Sequence, residues 1–237
     1  FKNFKNKNKN KNKKLNQLFL SLISKKNDLL MSLSNNYIDS YSKKILKTYE
    51  KSSTFRLIGM GGSTLGAQTI YQFLNHKIKK KFLFVDNLQS IQKKNNSKIT
   101  NIVISKSGNT VETIVNANIL IKKKDKNIFI TENKKNYLHT LANKLKAEII
   151  HHNNFIGGRY SVLSEVGMLP AELMGLRSEN FRKFNSLIKN KYLVNALISN
   201  VSTTLSLVKQ KKYNSIIINY DEKSENYSTV SAAMLKA

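Results

Sequence analysis

The stretch "FRLIGMGGSTLG", Phe55 to Gly66, decides how the rest of the chain is read. A short apolar run enters a loop containing Gly59, Gly61 and Gly62, and a helical segment, Ser63–Leu74, opens directly behind it. Glycines let a backbone turn sharply and bring its N–H groups close to an anion. A helix N-terminus adds partial positive charge at the same place. The loop is therefore a candidate phosphate cradle, with a plain tight turn as the alternative. A dinucleotide fingerprint, with Asp86 as its ribose ligand, is disfavoured because the spacing set by Gly59 and Gly61 requires a glycine where Thr64 stands.

Working outward, similar runs recur at "FLFVD" (82–86), "NIVIS" (101–105), "NIFIT" (127–131) and "EIIHH" (148–152). Each is apolar on consecutive positions, as a strand covered on both faces must be. Helical segments at Thr110–Lys123 and Tyr137–Leu145 separate them. Such alternation predicts an α/β fold, a parallel sheet flanked by helices, with ligands at the carboxyl ends of its strands. Before the sheet, helical patterns run from Leu15 and again through Tyr37, Ile38, Tyr41, Ile45 and Leu46. After Pro170 helices are expected over about 170–188 and 190–211, and "NSIIINY" (214–220) reads as one more strand. The expected organisation is a disordered Lys/Asn-rich segment (1–14), a helical part (15–50), the sheet domain (51–188) and the start of a second, incomplete α/β domain (189–237).

The formal net charge of +27 on 237 residues invites a nucleic-acid-binding reading. The lysines, however, come with abundant Asn, Ile, Tyr and Phe, whose codons are also rich in A and T. Genome bias explains all five together. Nucleic-acid contacts also favour arginine, and the chain has only Arg56, Arg159, Arg177 and Arg182. With no cysteine, disulfides, thiolate zinc sites and a cysteine nucleophile are excluded. No apolar run reaches the ~20 residues of a membrane span, no secretory signal is visible, and the expected location is the cytoplasm. The chain begins at Phe1 rather than Met, which marks a fragment or a processed form as the expectation.

The third strand leads into "SKSGNTVETI", Ser105 to Ile114. Ser105, Ser107 and Thr110 offer hydroxyls, Lys106 offers a charge, and Asn109 with Glu112 has the spacing of a capping box. Hydroxyls, an ammonium and free N–H groups at a helix start suit a phosphate monoester. His151 and His152 are adjacent, so on a strand they point to opposite faces and cannot share a metal. No metal or cofactor site is expected. The tyrosines and phenylalanines are expected in the core.

A third motif, "GGRYSVLSEVGMLPAELMG" from Gly157, places Arg159 behind two glycines. Together the three motifs resemble the sugar isomerase domain of the glucose-6-phosphate isomerase family, over roughly residues 15–225. The resemblance implies a flavodoxin-like three-layer sandwich and an aldose–ketose isomerase acting on hexose 6-phosphates in glycolysis and gluconeogenesis, without a cofactor and as a homodimer. It implies that Gly62 and Ser63 contact the substrate and that Ser105, Lys106, Ser107 and Thr110 hold its phosphate. Ser107 stands where the family usually has threonine. Arg159 would stabilise the enediolate beside the first two sugar carbons, a task for which a guanidinium fork suits better than an ammonium. Gly157 and Gly158 are expected to leave the space through which that arginine reaches.

The family's glutamate base, ring-opening histidine and C-terminal lysine lie in segments that do not occur here. Near Asn226 the chain leaves the family pattern and reads "TVSAAMLKA" where a tryptophan-containing helix is expected. The expectation is a truncated, inactive fragment that binds hexose 6-phosphate. The alternatives are a non-catalytic sugar-phosphate-binding module of the same fold and, more remotely, a basic nucleic-acid-binding protein.

Overall fold

In the computed structural model the described residues are 9–25, 27–88 and 98–235. Each of the five apolar runs is a strand: β1 (Thr54–Ile58), β2 (Lys81–Val85), β3 (Thr100–Ile104), β4 (Lys126–Thr131) and β5 (Glu148–His151). All pairs are parallel, in the order β2-β1-β3-β4-β5. The helices are α1 (Lys9–Ser24), α2 (Asp28–Ser32), α3 (Lys43–Tyr49), α4 (Gly62–Leu74) and α5 (Val111–Leu120). They continue with α6 (Tyr137–Lys144), α7 (Glu165–Leu173), α8 (Phe184–Leu187), α9 (Lys191–Lys209) and α10 (Glu225–Leu235).

Alternation along the strands feeds two cores. Phe55, Leu57, Ile102, Ile104, Ile128 and Ile130 face α3, α4 and α7, whereas Ile58, Val85, Val103 and Phe129 face α5 and α6. Most of these side chains have no exposed surface, and burying each contributes about 1.5–3 kcal/mol. Phe55 stacks on Phe82 at 4.9 Å across the β1–β2 pair. Tyr49 donates its hydroxyl to the Asn127 carbonyl at 3.3 Å, and burial, with help from the charge of Glu148, pushes its phenol up to about 12. The three-layer, flavodoxin-like expectation is met, and the strand order shows why the site lies where it does. The chain leaves β1 through α4 on one face and β3 through α5 on the other, so a crevice opens between those two strand ends.

The chain divides into two compact units. The sheet unit comprises Ile38–Phe181 and Ile218–Ala237, and a helical unit comprises Phe1–Tyr37 and Arg182–Ile217. These bounds differ from the stretches 15–50, 51–188 and 189–237. After Ile218, α10 packs on α4, where Tyr227 meets Phe73 edge-on at 6.1 Å and Asn226 donates to Gln72 at 3.0 Å. In the helical unit, Asn27 and Asn190 cap α2 and α9 through their side chains. The Arg182 guanidinium lies 4.9 Å from the centre of the Tyr37 ring.

Other expectations need correction. The Lys/Asn-rich segment was expected to be disordered over residues 1–14, but α1 begins at Lys9; residues 1–8 lie outside the described residues. Extending a helix backward from the apolar face at Leu15 adds one hydrogen bond per residue fixed and avoids the cost of nucleation. The pattern through Tyr37 and Tyr41 is not helical until Lys43. The helix expected from Pro170 starts five residues earlier and ends at Leu173, and the region to 188 is broken into short turns and α8. The run "NSIIINY" forms no strand, because no backbone among the described residues pairs with it, and Ile216 is 85% exposed. Not every aromatic side chain is in the core. Phe155 is 81% exposed, directly before the Arg159 turn.

Candidate functional site

Three loops meet at the carboxyl ends of β1 and β3. After β1, Gly59 donates its N–H to the Val85 carbonyl at 3.1 Å, and a β-carbon on it would lie 2.9 Å from the Ile104 carbonyl of β3. Gly61 turns with φ +54°, which a residue with a side chain rarely adopts, and caps α4. Among the described residues the amides of Gly61 and Gly62 have no backbone acceptor, and the Ser63 hydroxyl makes no hydrogen bond. Two N–H groups, a hydroxyl and the positive end of a 13-residue helix are therefore uncommitted at the carboxyl end of β1 among the described residues. Asp86 is not placed as a ribose ligand, since its Oδ2 accepts from Gln68 of α4 at 3.0 Å.

The loop after β3 is built around Ser105. Its buried hydroxyl shares a 2.9 Å hydrogen bond with Thr110 and accepts from Gly108 N–H at 3.2 Å. Ser107 is exposed, and its hydroxyl accepts from Asn109 N–H at 3.3 Å. Gly108 has φ +67° and packs so closely on Asn136 that no side chain fits. The expected capping box is absent. The N-cap of α5 is Thr110, without a side-chain cap bond, and the Asn109 side chain accepts from Tyr137 N–H at 3.1 Å. The tie to α6 has taken the group that the spacing assigned to α5.

Lys106 is held rather than free. Its ammonium donates to the Asn154 carbonyl at 2.8 Å and lies 3.5 Å from the Glu132 carboxylate, which Lys134 also contacts at 3.2 Å. Burial acts to raise the Glu132 carboxyl, but its bonds to Lys134 and the charges of both lysines prevail and hold it below the usual range. The charge of Lys106 is thus shared between the loop after β4 and the segment that leads to Arg159.

Arg159 lies in a 3-10 turn, Gly158–Leu163, that rests on the start of α4. A β-carbon on Gly62 would lie 2.3 Å from the Gly158 carbonyl oxygen and 3.0 Å from Arg159 N. Ser161 stitches the two backbones, donating to Gly158 O at 2.7 Å with Gly62 O at 3.4 Å. Val162 fills the hollow left by Gly66 and Gly167. The Gly157–Gly158 pair was expected to clear the way for the arginine, but β-carbons there would meet nothing closer than 3.8 Å. The position where the missing side chain matters is Gly62. The Arg159 side chain is exposed and has no partner among the described residues.

One buried group carries no motif in the sequence. His152 and Glu165 have side chains only 2% and 1% exposed, with Nδ1 and Oε1 3.7 Å apart. The Glu165 carboxylate accepts from Asn153 N–H at 2.6 Å, and His152 Nδ1 donates to the Asn153 carbonyl at 2.9 Å. Burial pushes the imidazole below its ordinary value, outweighing the Asn153 bond and the Glu165 charge. The pair pins the segment from β5 to Arg159 against the first turn of α7. No cluster of metal-ligating side chains occurs among the described residues, and no helix among them is long and apolar enough to cross a membrane.

Comparison with known proteins supplies the remaining observation. The family model for phosphoglucose isomerase matches residues 31–228. The chain is 30% identical over 207 residues to the glucose-6-phosphate isomerase of Methanocaldococcus jannaschii, covering 74% of this chain and 50% of that protein. It is 29% identical over 227 residues to that of Mycoplasma mycoides subsp. mycoides SC, covering 84% and 53%. The chain thus spans about half the length of these curated relatives. Among solved structures, the tagatose-6-phosphate ketose/aldose isomerase of Escherichia coli superposes with a TM-score of 0.58 at 16% identity, over 80% of this chain and 54% of that one. At that identity the likeness shows the fold alone.

Proposed function

Because this chain belongs to the phosphoglucose isomerase family, we propose that it binds hexose 6-phosphates between the loops after β1 and β3 and presents Arg159 to the sugar. The reading rests on one observation above the others. The Gly62 backbone lies against Gly158 and the backbone N of Arg159, so the residue whose guanidinium has no partner among the described residues is anchored at the start of α4. The phosphate would lie against the amides of Gly61 and Gly62 and the hydroxyls of Ser63, Ser105, Ser107 and Thr110, with Lys106 beside it. Such charge-assisted bonds are about twice as strong as neutral ones.

The reaction in which these groups would serve is the interconversion of glucose 6-phosphate and fructose 6-phosphate. A proton leaves C2 of the open-chain aldose, an enediol forms with negative charge on its oxygens, and a proton returns at C1. Arg159 would stabilise that charge, most strongly where water is excluded. The step needs a base, and Glu165, the acid nearest in sequence, is buried and bound to Asn153. Without a base, catalysis falls by ~10²–10⁴-fold. These 237 residues by themselves therefore bind substrate, on the order of 1 mM (about −4 kcal/mol), without isomerising it.

Calorimetric titration with fructose 6-phosphate beside a coupled isomerase assay tests both parts. Saturable binding without turnover is expected. Turnover at an enzymatic rate contradicts the binding-only part, and no binding at millimolar sugar phosphate contradicts the whole.

A further inference from the structure

At the opposite end of the sheet, where β1, β3 and β4 begin, lies a cleft of about 860 Å³. That volume falls in the range of small-molecule sites, yet the lining is not that of an apolar pocket. Lys51, Lys98, Lys122, Lys124 and Lys126 make up half of its ten lining residues. In the whole chain, lysine and arginine together are 41 of 237, so the lysine-rich composition alone does not give this density. The remaining wall includes the hydroxyls of Ser52 and Thr100, which bond to each other at 2.9 Å.

The only acid in the lining, Asp125, is already committed. Its Oδ2 accepts from Lys122 N–H at 2.9 Å and from Asn101 Nδ2 at 3.3 Å, and its charge acts on the half-buried Arg56 guanidinium. Lys126 stands over the buried Tyr49 ring, 5.9 Å from its centre. The ammonium groups of Lys51, Lys98, Lys122 and Lys124 have no ion-pair partner among the described residues. Four cations around one concavity repel each other, and an anion placed among them relieves that repulsion.

We propose that this cleft is a second anion site, distinct from the sugar-phosphate loops, and that it takes a small molecule carrying two or more linked phosphates. Charge selects this class. A phosphate monoester brings a charge of about −2 at neutral pH and leaves half of the four ammonium charges unmatched, whereas a triphosphate answers all of them. Shape selects it over a nucleic-acid strand, because the cations surround a concavity and the hydroxyl pair lies within it. The site does not depend on the reading of the loops after β1 and β3.

The probe is inorganic tripolyphosphate, titrated calorimetrically into the 237-residue chain at 50 and 200 mM salt. Three exposed wall lysines are removed in K98Q/K122Q/K124Q, and the same charge is removed outside the lining in K189Q/K191Q/K209Q. Saturable one-to-one binding is expected, at least tenfold weaker in the first variant and within about twofold of wild type in the second, with no displacement by fructose 6-phosphate. Any of three results overturns the site: no saturable binding, equal weakening in both variants, or displacement by fructose 6-phosphate. Tighter binding of a single-stranded oligonucleotide, lost in the same wall variant, would overturn it in favour of a nucleic-acid surface. Circular dichroism of both variants confirms that the fold is kept.

Discussion

The backbone of Gly62 lies so close to Gly158 that a β-carbon on Gly62 would sit 2.3 Å from the Gly158 carbonyl oxygen. This contact joins the start of α4 to the turn that carries Arg159. Neither partner atom is a flexible side-chain tip, so a methyl group there must push two backbones apart. Gly62→Ala should destabilise the chain by about 1–3 kcal/mol and weaken hexose-phosphate binding further than the stability loss accounts for. Gly157→Ala is the control, because φ is −69° and the nearest atom would be 3.8 Å away. Its urea midpoint should match or slightly exceed wild type.

Arg159 is exposed and has no partner among the described residues, so its removal should leave stability within about 0.5 kcal/mol. Fructose 6-phosphate affinity should nevertheless fall about tenfold, the equivalent of ~1.4 kcal/mol. Arg159→Lys should recover only part of that, since an ammonium lacks the planar fork. Thermal melts and calorimetry on the same preparations separate the two effects.

Ser105 serves the fold before it serves a ligand. Its hydroxyl bonds Thr110 and accepts from the buried Gly108 amide. Ser105→Ala should therefore cost about 0.5–1.5 kcal/mol, because the Thr110 hydroxyl loses its partner while the Gly108 amide keeps the Ser105 carbonyl at 3.2 Å. Ser63→Ala breaks no hydrogen bond among the described residues and should lower affinity with little change in the urea midpoint. Equal stability losses in the two variants would contradict this division of labour.

The strands could be read from the sequence because five short runs are apolar on consecutive positions, a direct mark of burial on both faces, whereas the crevice between β1 and β3 follows from the strand order. The glycine-rich turns could be read too, but not which glycine was indispensable. Gly157 and Gly158 drew attention by sitting beside Arg159, yet the crowding falls on Gly62, 96 positions earlier. The Asn109–Glu112 spacing suggested a cap that Tyr137 pre-empts through a contact from another helix. No pattern announced the His152–Glu165 pair, because its partners lie on different elements and belong to no periodic face. The "NSIIINY" run shows the converse, since β-branched residues alone make no strand without a neighbour to pair with.

His152 gives the chain a dependence on pH with a definite sign. Folding buries the imidazole and lowers its pKa, while the unfolded chain titrates near the ordinary value of about 6.5. Below that pH the unfolded state binds a proton that the folded state refuses, so stability is full above about 6.5 and declines as pH falls toward the lowered folded value. Urea midpoints should drop between pH 7.5 and pH 5.5, and the drop should shrink in His152→Asn. An unchanged drop in that variant would show that another group carries it.

Amide chemical shifts of the 15N-labelled chain during titration with fructose 6-phosphate test the central claim most directly, because they locate the ligand residue by residue. Saturable shifts are expected at Gly61, Gly62, Ser63, Ser107 and Arg159, with none at Lys98, Lys122 or Lys124. Shifts confined to the lysine cleft, or no saturable shift at any of these amides, would contradict hexose-phosphate binding at the carboxyl ends of β1 and β3.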